Sequence, residues 1–271
     1  MNSSENTKKF DSAVTYSSYL KVDELLQLQN PLSAGPEHDE MLFIIVHQTY
    51  ELWFKCVLHE LSRAQQLLEL GDTYASLPVL GRVRTIFKVL VSQIDILETM
   101  TPLQFNSFRN RLEASSGFQS VQFRELEAVL GRRDASMIDH LEPNSESQRR
   151  VLNAMNRPGL FDSVLVYLVK RDHQMPDEVM QRNFNKTYSA NELVQESLAN
   201  AYRNDPEASM LLERLVDIDE GLQEWRYRHV KMVERTIGMK HGTGGSSGVA
   251  YLSSTLFKPV FPDLWAVRTR F

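Results

Sequence analysis

The strongest constraint on the fold is a helical repeat of apolar residues that runs from about residue 39 to residue 69. Apolar side chains recur there at steps of three and four residues, which places them on one face of a long α-helix. Similar patterns predict further helices at about residues 78–98, 103–112, 119–130, 146–156, 159–171, 190–203 and 207–238. The apolar run at 164–169 has the composition of a strand, but no alternating partner lies nearby, so we predict a buried helical segment. The chain is therefore predicted to be all-α.

Local signals mark boundaries and connections between these helices. Thr101 followed by Pro102 has the form of a helix N-cap with proline at the first helical position. Residues 131–145 and 172–190 contain proline and many polar residues, and we predict that both are loops on the helical body. The polar first 15 residues are predicted to form an arm that becomes ordered only against a partner.

Length and charge limit the number of domains and the kind of partner. With 271 residues the chain is near the upper limit for one hydrophobic core, so we predict a single domain over residues 1–271. Its net charge of −5 provides no general basic field, and we expect no nucleic-acid partner.

The N-terminal segment lacks the apolar core of a signal peptide, and no run of about 18 apolar residues occurs that would span a membrane. We therefore expect a cytoplasmic protein with no membrane partner. Cys56 is the only cysteine, which excludes intramolecular disulfides and zinc sites built from several thiolates.

His229 lies in the sequence WRYRHVKMVERTIG, residues 225–238, on an apolar stripe that includes Trp225. One interpretation is a buried histidine satisfied by one hydrogen bond. The charges around it indicate another, because residues 206–224 contain six acids and one base, whereas residues 225–240 contain five bases and one acid. A haem needs one axial imidazole and cations for its propionates, since the macrocycle supplies the other four iron ligands. A haem site would explain why no second protein ligand lies one turn away.

His47 occupies an apolar face of the helix predicted at 39–69 and has Glu51 one turn later. This spacing could hold a metal from one helix face, although a hydrogen bond between the two side chains is commoner. Over an open haem face, an uncoordinated histidine would instead offer a polar contact to oxygen or substrate. The sequence leaves these alternatives open.

Two further features suit a small ligand. Arg109 lies among aromatic residues in FNSFRNRL. Most such arginines cover apolar surface with their side chains, but a planar guanidinium can also bind a carboxylate.

The glycine-rich stretch HGTGGSSG, residues 241–248, has no lysine for a phosphate-binding loop and does not fit the dinucleotide pattern. It is either a helix stop or part of a mobile loop, residues 241–250, that turns amides and hydroxyls toward a ligand.

Four stretches of the sequence together form a highly specific signature. They are HDEMLFIIVHQTYELWFK at 38–55, TPLQFNSFRNRLEASSGFQS at 101–120, WRYRHVKMVERTIG at 225–238 and GTGGSSG at 242–248. In this order they resemble the tryptophan 2,3-dioxygenase family. The resemblance extends over nearly the whole chain, from YSSYLKVDELL near residue 16 to FPDLWAVRTR at the C-terminus.

The resemblance implies an all-α protein that holds haem b between its long helices and uses O₂ as co-substrate. The implied reaction cleaves the indole C2–C3 bond of L-tryptophan to give N-formyl-L-kynurenine, the first step of tryptophan catabolism by the kynurenine pathway. The implied assembly is a homotetramer, a dimer of dimers, with shared active sites. An N-terminal arm, residues 1–20, would exchange between subunits and reach the site of a neighbour.

The resemblance also implies roles for single residues. His229 would be the axial ligand of the haem iron, and His47 would be the distal histidine that accepts the indole N–H. Arg109 would bind the substrate carboxylate. The other implied substrate contacts are Phe43 and Phe105 at the indole, Thr243 at the amino-acid end, and Tyr16, Tyr19 and Leu20 from the arm. Many bacterial members carry tyrosine where this chain has Phe105 and others carry phenylalanine, so a hydroxyl near the carboxylate is absent here.

Two alternative functions have different experimental signatures. A related haem monooxygenase would insert one oxygen atom into a substituted indole or another tryptophan analogue, and labelled O₂ distinguishes it from a dioxygenase. A haem carrier or sensor without turnover would need neither Arg109 nor the glycine-rich loop.

Overall fold

A computed structural model describes residues 13–35, 37–113, 115, 117–240 and 248–271. In this part of the chain every regular element is a helix and no strand occurs, which confirms the all-α prediction. The strand-like run at 164–169 lies inside a helix that spans Leu160–Lys170, also as predicted.

The α-helices are numbered here in chain order. They are α1 (Tyr16–Leu20), α2 (Val22–Leu25), α3 (His38–Leu70), α4 (Thr73–Leu97), α5 (Pro102–Arg109), α6 (Val121–Leu130), α7 (Glu146–Met155), α8 (Leu160–Lys170), α9 (Asp177–Met180), α10 (Glu192–Asn204), α11 (Pro206–Ile237), α12 (Val249–Ser253) and α13 (Pro262–Ala266). Short 3₁₀ helices lie at Asn110–Leu112, Gly117–Gln119, Ala135–Met137 and Val267–Arg270.

The core is built where α4 packs along both long helices, α3 and α11. Leu61 of α3, Leu90 of α4 and Leu215 of α11 are fully buried, and burial of a leucine side chain is worth about 1.5–3 kcal/mol. Gly221 permits a close approach of α11 to α4, because a Cβ at this position would lie 3.2 Å from Cβ of Phe87. Helix α8 packs on α3, and α6 packs on α3 and α7.

Helix α4 begins earlier than the sequence pattern predicted. Its N-cap is Asp72, whose carboxylate accepts a hydrogen bond from the backbone N–H of Ala75 at 2.9 Å. Pro78 therefore lies inside the helix rather than at its start. The predicted start was wrong because proline is also tolerated after the first turn when tertiary packing supports the helix.

Helix α5 begins as predicted. The Thr101 hydroxyl accepts from the backbone N–H of Gln104, and the Gln104 side chain accepts from the backbone N–H of Thr101, which completes a capping box. The two predicted loop regions, residues 131–145 and 172–190, each contain one short helical turn, at Ala135–Met137 and in α9.

Helix α3 is the one helix in the described ranges that is long and apolar enough to cross a membrane by length and composition. Its most apolar 18-residue stretch has a mean hydropathy of 1.2. By these criteria the expectation that no such stretch occurs is not met. Of that stretch, 22% is buried within the chain, where α3 packs along α4 and α8.

The start of α11, the helix that carries His229, is fixed by a half-buried ionic contact. Asp205 is the N-cap and accepts from the backbone N–H of Ala208 at 3.0 Å. The Arg171 guanidinium binds the same carboxylate with two nitrogens, at 2.6 and 2.7 Å. These hydrogen bonds, those from Arg171 above all, hold the pKa of Asp205 well below its ordinary value.

We expect Asp205→Ala to lower the free energy of unfolding by about 2–4 kcal/mol at neutral pH, because it removes both a helix cap and a charge-assisted contact. Since the folded-state pKa is lowered, the stabilisation is complete above about pH 4 and is lost as the pH falls below that value. Urea denaturation should therefore show that the difference between wild type and variant shrinks as the pH falls from 5 to 3.

The matched control is Asp217→Ala, which removes a partly exposed carboxylate of the same helix that pairs with Arg214 and Arg84. We expect this change to cost less than about 1 kcal/mol. Equal losses in the two variants would contradict the special role of Asp205.

Candidate active site

A cavity of about 270 Å³ lies between the long helices α3 and α11, with α5, α6 and α12 completing its wall. Most of the wall is apolar, and its aromatic part is formed by Phe43, Tyr50, Phe54, Phe105, Phe123 and Trp225. Among the few polar groups are His47, Arg109 and His229. An apolar cavity with a small number of converging polar groups is the usual form of a small-molecule site. The structure therefore brings five of the predicted residues, on three helices, to one cavity.

His229 presents its imidazole to this cavity from α11. Its ring stacks on Trp225 one turn earlier, with centroids 5.1 Å apart and planes 8° from parallel. No described residue hydrogen-bonds to either ring nitrogen. Burial, with smaller effects from His47 and Arg124, lowers the pKa of His229 to about 4. The ring is therefore neutral at pH 7, the form in which imidazole binds a metal.

His47 approaches the cavity from α3. Its Nδ1 lies 2.7 Å from the backbone carbonyl oxygen of Phe43, one turn earlier. Because a carbonyl only accepts, Nδ1 must carry the proton, and Nε2 of the neutral ring is left as an acceptor. Burial lowers the pKa of His47 and outweighs the opposite effects of the Phe43 contact and of Glu51. The neutral tautomer is therefore favoured at pH 7.

The described residues do not support the two other interpretations of His47, a metal site shared with Glu51 and a hydrogen bond between these two side chains. His47 does not bond to Glu51, whose carboxylate instead accepts from the Ser120 hydroxyl at 2.5 Å and the Gln122 amide at 2.8 Å. Within the described residues, no three side chains of the types His, Cys, Asp and Glu come together in a group that could hold a metal ion. A metal in this cavity would have to bring most of its own ligands.

The aromatic side of the cavity is formed where α5 meets α3. The Phe43 ring lies 4.0 Å from the His47 ring, 5.8 Å from Phe105 and 5.6 Å from Phe108, centroid to centroid. Phe105 and Arg109 are one turn apart on α5, so both face the cavity. A flat apolar ligand that packs against these rings would have one end within reach of the Arg109 guanidinium.

A cluster of charges also lines the cavity. The Glu127 carboxylate lies 2.6 Å from Arg124, 2.8 Å from Arg132 and 3.6 Å from Arg226, and we call these four residues the arginine cluster. All but Arg132 are nearly excluded from solvent. All four residues line the cavity. Guanidinium groups bind carboxylates and phosphates, so this wall suits an anionic ligand.

Most of the cations that line this cavity lie outside the basic stretch that the sequence pattern indicated. The basic stretch after residue 225 supplies only Arg226 to the cavity. Arg228 pairs with Asp95 and Glu98 of α4, which fixes α11 against its neighbour. Arg124 and Arg132 were missed, although the three-residue spacing of Arg124 and Glu127 in FRELE was a usable signal for an ion pair on one helix face.

Three of the remaining predicted site residues, Tyr16, Tyr19 and Leu20, do not line this cavity. Tyr16, Tyr19 and Leu20 lie on α1, where 76%, 77% and 46% of their surfaces are exposed. Thr243, with the rest of residues 241–247, lies outside the described residues. Gly248, which follows this stretch, and Tyr251 of α12 do line the cavity. Tyr251 accepts a hydrogen bond from Arg132 at 2.9 Å, which connects α12 to the arginine cluster.

Comparison with known proteins identifies the family. The family model described as tryptophan 2,3-dioxygenase matches residues 1–160 and 198–271. The tryptophan 2,3-dioxygenase of Herpetosiphon aurantiacus is 55% identical over 256 residues, which cover 94% of this chain and 98% of that protein. Its counterpart from Anaeromyxobacter sp. (strain K) is 56% identical over 257 residues, covering 95% and 96%, and that of Caulobacter vibrioides is 44% identical over 261 residues, covering 95% and 98%. The chain therefore belongs to the tryptophan 2,3-dioxygenase family.

Proposed function

We propose that this chain is a haem-dependent dioxygenase that cleaves the indole C2–C3 bond of L-tryptophan with O₂ to give N-formyl-L-kynurenine. The observation that supports it best is the pair of neutral histidines on α3 and α11, which face one apolar cavity with Nε2 of His47 and the ring of His229 free of hydrogen bonds from described residues. Relatives named tryptophan 2,3-dioxygenase, up to 56% identical, support the same reaction.

The cavity residues fit haem b. His229 offers a neutral imidazole for the iron, and the aromatic wall suits an apolar macrocycle. The guanidinium groups of the arginine cluster suit the two propionates, because guanidinium pairs with carboxylates. When bound, haem supplies the ferrous iron through which ground-state O₂ can react with a closed-shell indole.

The protein's own side chains would bind and orient the substrate. Nε2 of His47, an acceptor in the neutral tautomer, would accept the indole N–H and would have no proton to deliver. Phe43 and Phe105 would hold the indole plane by aromatic contact, and Arg109 would pair with the carboxylate. Contacts at both ends of the substrate in this way would use binding energy to orient the reacting carbon.

The test of this function is a reaction of reduced, haem-loaded protein with L-tryptophan and ¹⁸O₂. A dioxygenase leaves both labelled atoms in the product. One labelled atom would indicate the related monooxygenase instead. Bound haem without turnover, and without a spectral change on adding L-tryptophan, would indicate a carrier or sensor.

His229→Ala is expected to retain the helical fold but to lose stable haem binding, because it removes the proposed iron ligand. Circular dichroism and a spectroscopic haem titration measure the two properties separately. The control is His47→Ala on the facing helix, which should keep haem while turnover falls. A normal haem spectrum in His229→Ala would rule out the axial assignment, and haem loss confined to His47→Ala would exchange the two roles.

Arg109→Ala is expected to lower kcat/KM for L-tryptophan by roughly 30- to several-thousand-fold, because it leaves a buried carboxylate without its partner. Tryptamine, which lacks the carboxylate, should lose little affinity in the same variant. Arg109→Lys should recover only part of the activity, since an ammonium cannot form the two-pronged contact.

A suitable control is Arg111→Ala, which removes an exposed guanidinium outside the cavity wall. A double-mutant cycle between residue 109 and the substrate carboxylate gives the coupling directly. A coupling near zero would remove Arg109 from the substrate site.

We further propose a cytoplasmic homotetramer, a dimer of dimers, in which residues 1–20 of one subunit complete the site of another. The strong exposure of Tyr16 and Tyr19 on α1, away from the cavity of their own chain, supports an exchange of this arm. Apolar side chains at the surface of one subunit are typical of interfaces.

Deletion of residues 1–20 is expected to raise KM for L-tryptophan in every site of the assembly. Mixing this chain with His229→Ala chains that keep the arm should restore activity, because each protein supplies what the other lacks. Native mass spectrometry verifies that mixed oligomers have formed. Verified mixed oligomers without recovered activity would contradict a shared site.

A further inference from the structure

The segment that carries Arg109 is contacted at three successive positions along helix α3 and its N-cap. Near its start, the Glu37 carboxylate accepts a hydrogen bond from the Ser107 hydroxyl at 2.5 Å. In the middle, the Phe43 ring contacts α5 through Phe105 and Phe108. At the third level, Glu51 binds the residues that begin α6. The first contact precedes Arg109 in the chain and the third follows it.

The Glu51 contact is the most specific of the three. One carboxylate oxygen accepts from the Ser120 hydroxyl at 2.5 Å, and the other accepts from the Gln122 side-chain amide at 2.8 Å. The same amide donates to the Glu51 backbone carbonyl at 2.8 Å. Ser120 is also the N-cap of α6 and accepts from the backbone N–H of Phe123. Hydrogen bonds to a carboxylate are stronger than neutral ones, so this arrangement fixes where α6 begins.

The position of Glu51 links this contact to the proposed chemistry. It follows His47 by one helical turn, so on a stiff helix the two side chains move together. Glu51 and Ser120 both line the cavity. The connection from Arg109 to Ser120 is short and consists largely of 3₁₀ turns at Asn110–Leu112 and Gly117–Gln119. Anchoring its far end to α3 therefore restricts Arg109 relative to His47.

We infer that Glu51 is a positioning residue that sets the distance between the Arg109 guanidinium and His47, and so matches the site to a substrate bearing a carboxylate at one end and an indole N–H at the other. This inference rests on the proposed function. It assigns to Glu51 a role that is exerted through its contacts with Ser120 and Gln122. Its role is to tighten binding of the amino-acid end of the substrate.

A purely structural carboxylate on the same helix provides a comparison. Glu60, two and a half turns after Glu51, is buried and binds Arg82 of α4 at 2.6 Å. That ion pair joins α3 to α4 and does not line the cavity. Glu60→Ala should therefore reduce stability and leave the substrate preference unchanged, which makes it the matched control for Glu51→Ala.

The experiment compares wild type, Glu51→Ala, Glu51→Gln and Glu60→Ala as haem-loaded proteins. For Glu51→Ala we expect KM for L-tryptophan to rise by roughly 10- to 100-fold with a much smaller change in kcat, since a displacement of about 1 Å in a positioning group has effects of this size. Affinity for tryptamine should be almost unchanged, because it makes no use of Arg109. Glu51→Gln should show a smaller rise in KM than Glu51→Ala, since its amide oxygen can still accept from Ser120 while its NH₂ group would face the NH₂ group of Gln122.

Hydrogen–deuterium exchange provides a readout that does not depend on turnover. Backbone amides at 119–123 should exchange faster in Glu51→Ala and not in Glu60→Ala. Gln122→Ala removes two of the three hydrogen bonds from the other side and carries the same expectations if Glu51→Ala does not fold. Equal losses for L-tryptophan and tryptamine, or a normal KM with normal exchange, would overturn the inference. Absence of tryptophan turnover in the wild type would instead overturn the proposed function.

Discussion

The packing of α4 against both α3 and α11 is the contact on which the rest of the structure depends. It buries leucines along all three helices, and Gly221 lets the backbone of α11 approach Phe87 closely. Helices of this length act as stiff rods with a rise of about 1.5 Å per residue, so the height of each side chain follows from where its helix begins. The Asp205 cap fixes the start of α11, and Gly71, with φ of 82°, ends α3 in a left-handed conformation. Because the packing and the fixed helix ends set the positions of α3 and α11, the two histidines face one cavity.

The electrostatics of the cavity follow from burial. Desolvation lowers the pKa values of His47 and His229, so both imidazoles are neutral at pH 7, one as an acceptor and the other as a potential metal ligand. The guanidinium groups of the arginine cluster stay charged beside the same cavity, because guanidinium does not give up its proton. A neutral imidazole and guanidinium groups at one apolar cavity are complementary to an iron macrocycle with acidic side chains. Glu51 lines the same cavity, and its negative charge is stabilised by hydrogen bonds from the Ser120 hydroxyl and the Gln122 amide.

Much of the fold was predictable because it depends on local chemistry. The apolar repeat predicted α3 nearly to its ends, and the capping box predicted the start of α5 at Thr101 and Pro102. The start of α4 was not predictable from Pro78, because the side chain of Asp72 caps the helix earlier. In the site, His47 and His229 could be recognised from the sequence as single histidines on otherwise apolar helix faces. The arginine cluster was not visible, because Arg132 and Arg226 are distant in the chain and meet at Glu127 only after α6 packs beside α11.

The helical class, most helix boundaries and the family could be read from the sequence alone, since these follow from periodicity, capping and long motifs in a fixed order. The family resemblance also predicted His47, His229 and Arg109 as site residues. Which atoms the two histidines present to the cavity depended on the folded structure. The contact from Nδ1 of His47 to Phe43 selects its tautomer, and the Glu51 carboxylate turns to Ser120 and Gln122 instead of to His47. The physical reason is that periodicity specifies which face of a helix is buried, whereas hydrogen-bond partners and pKa values depend on groups brought from distant parts of the chain.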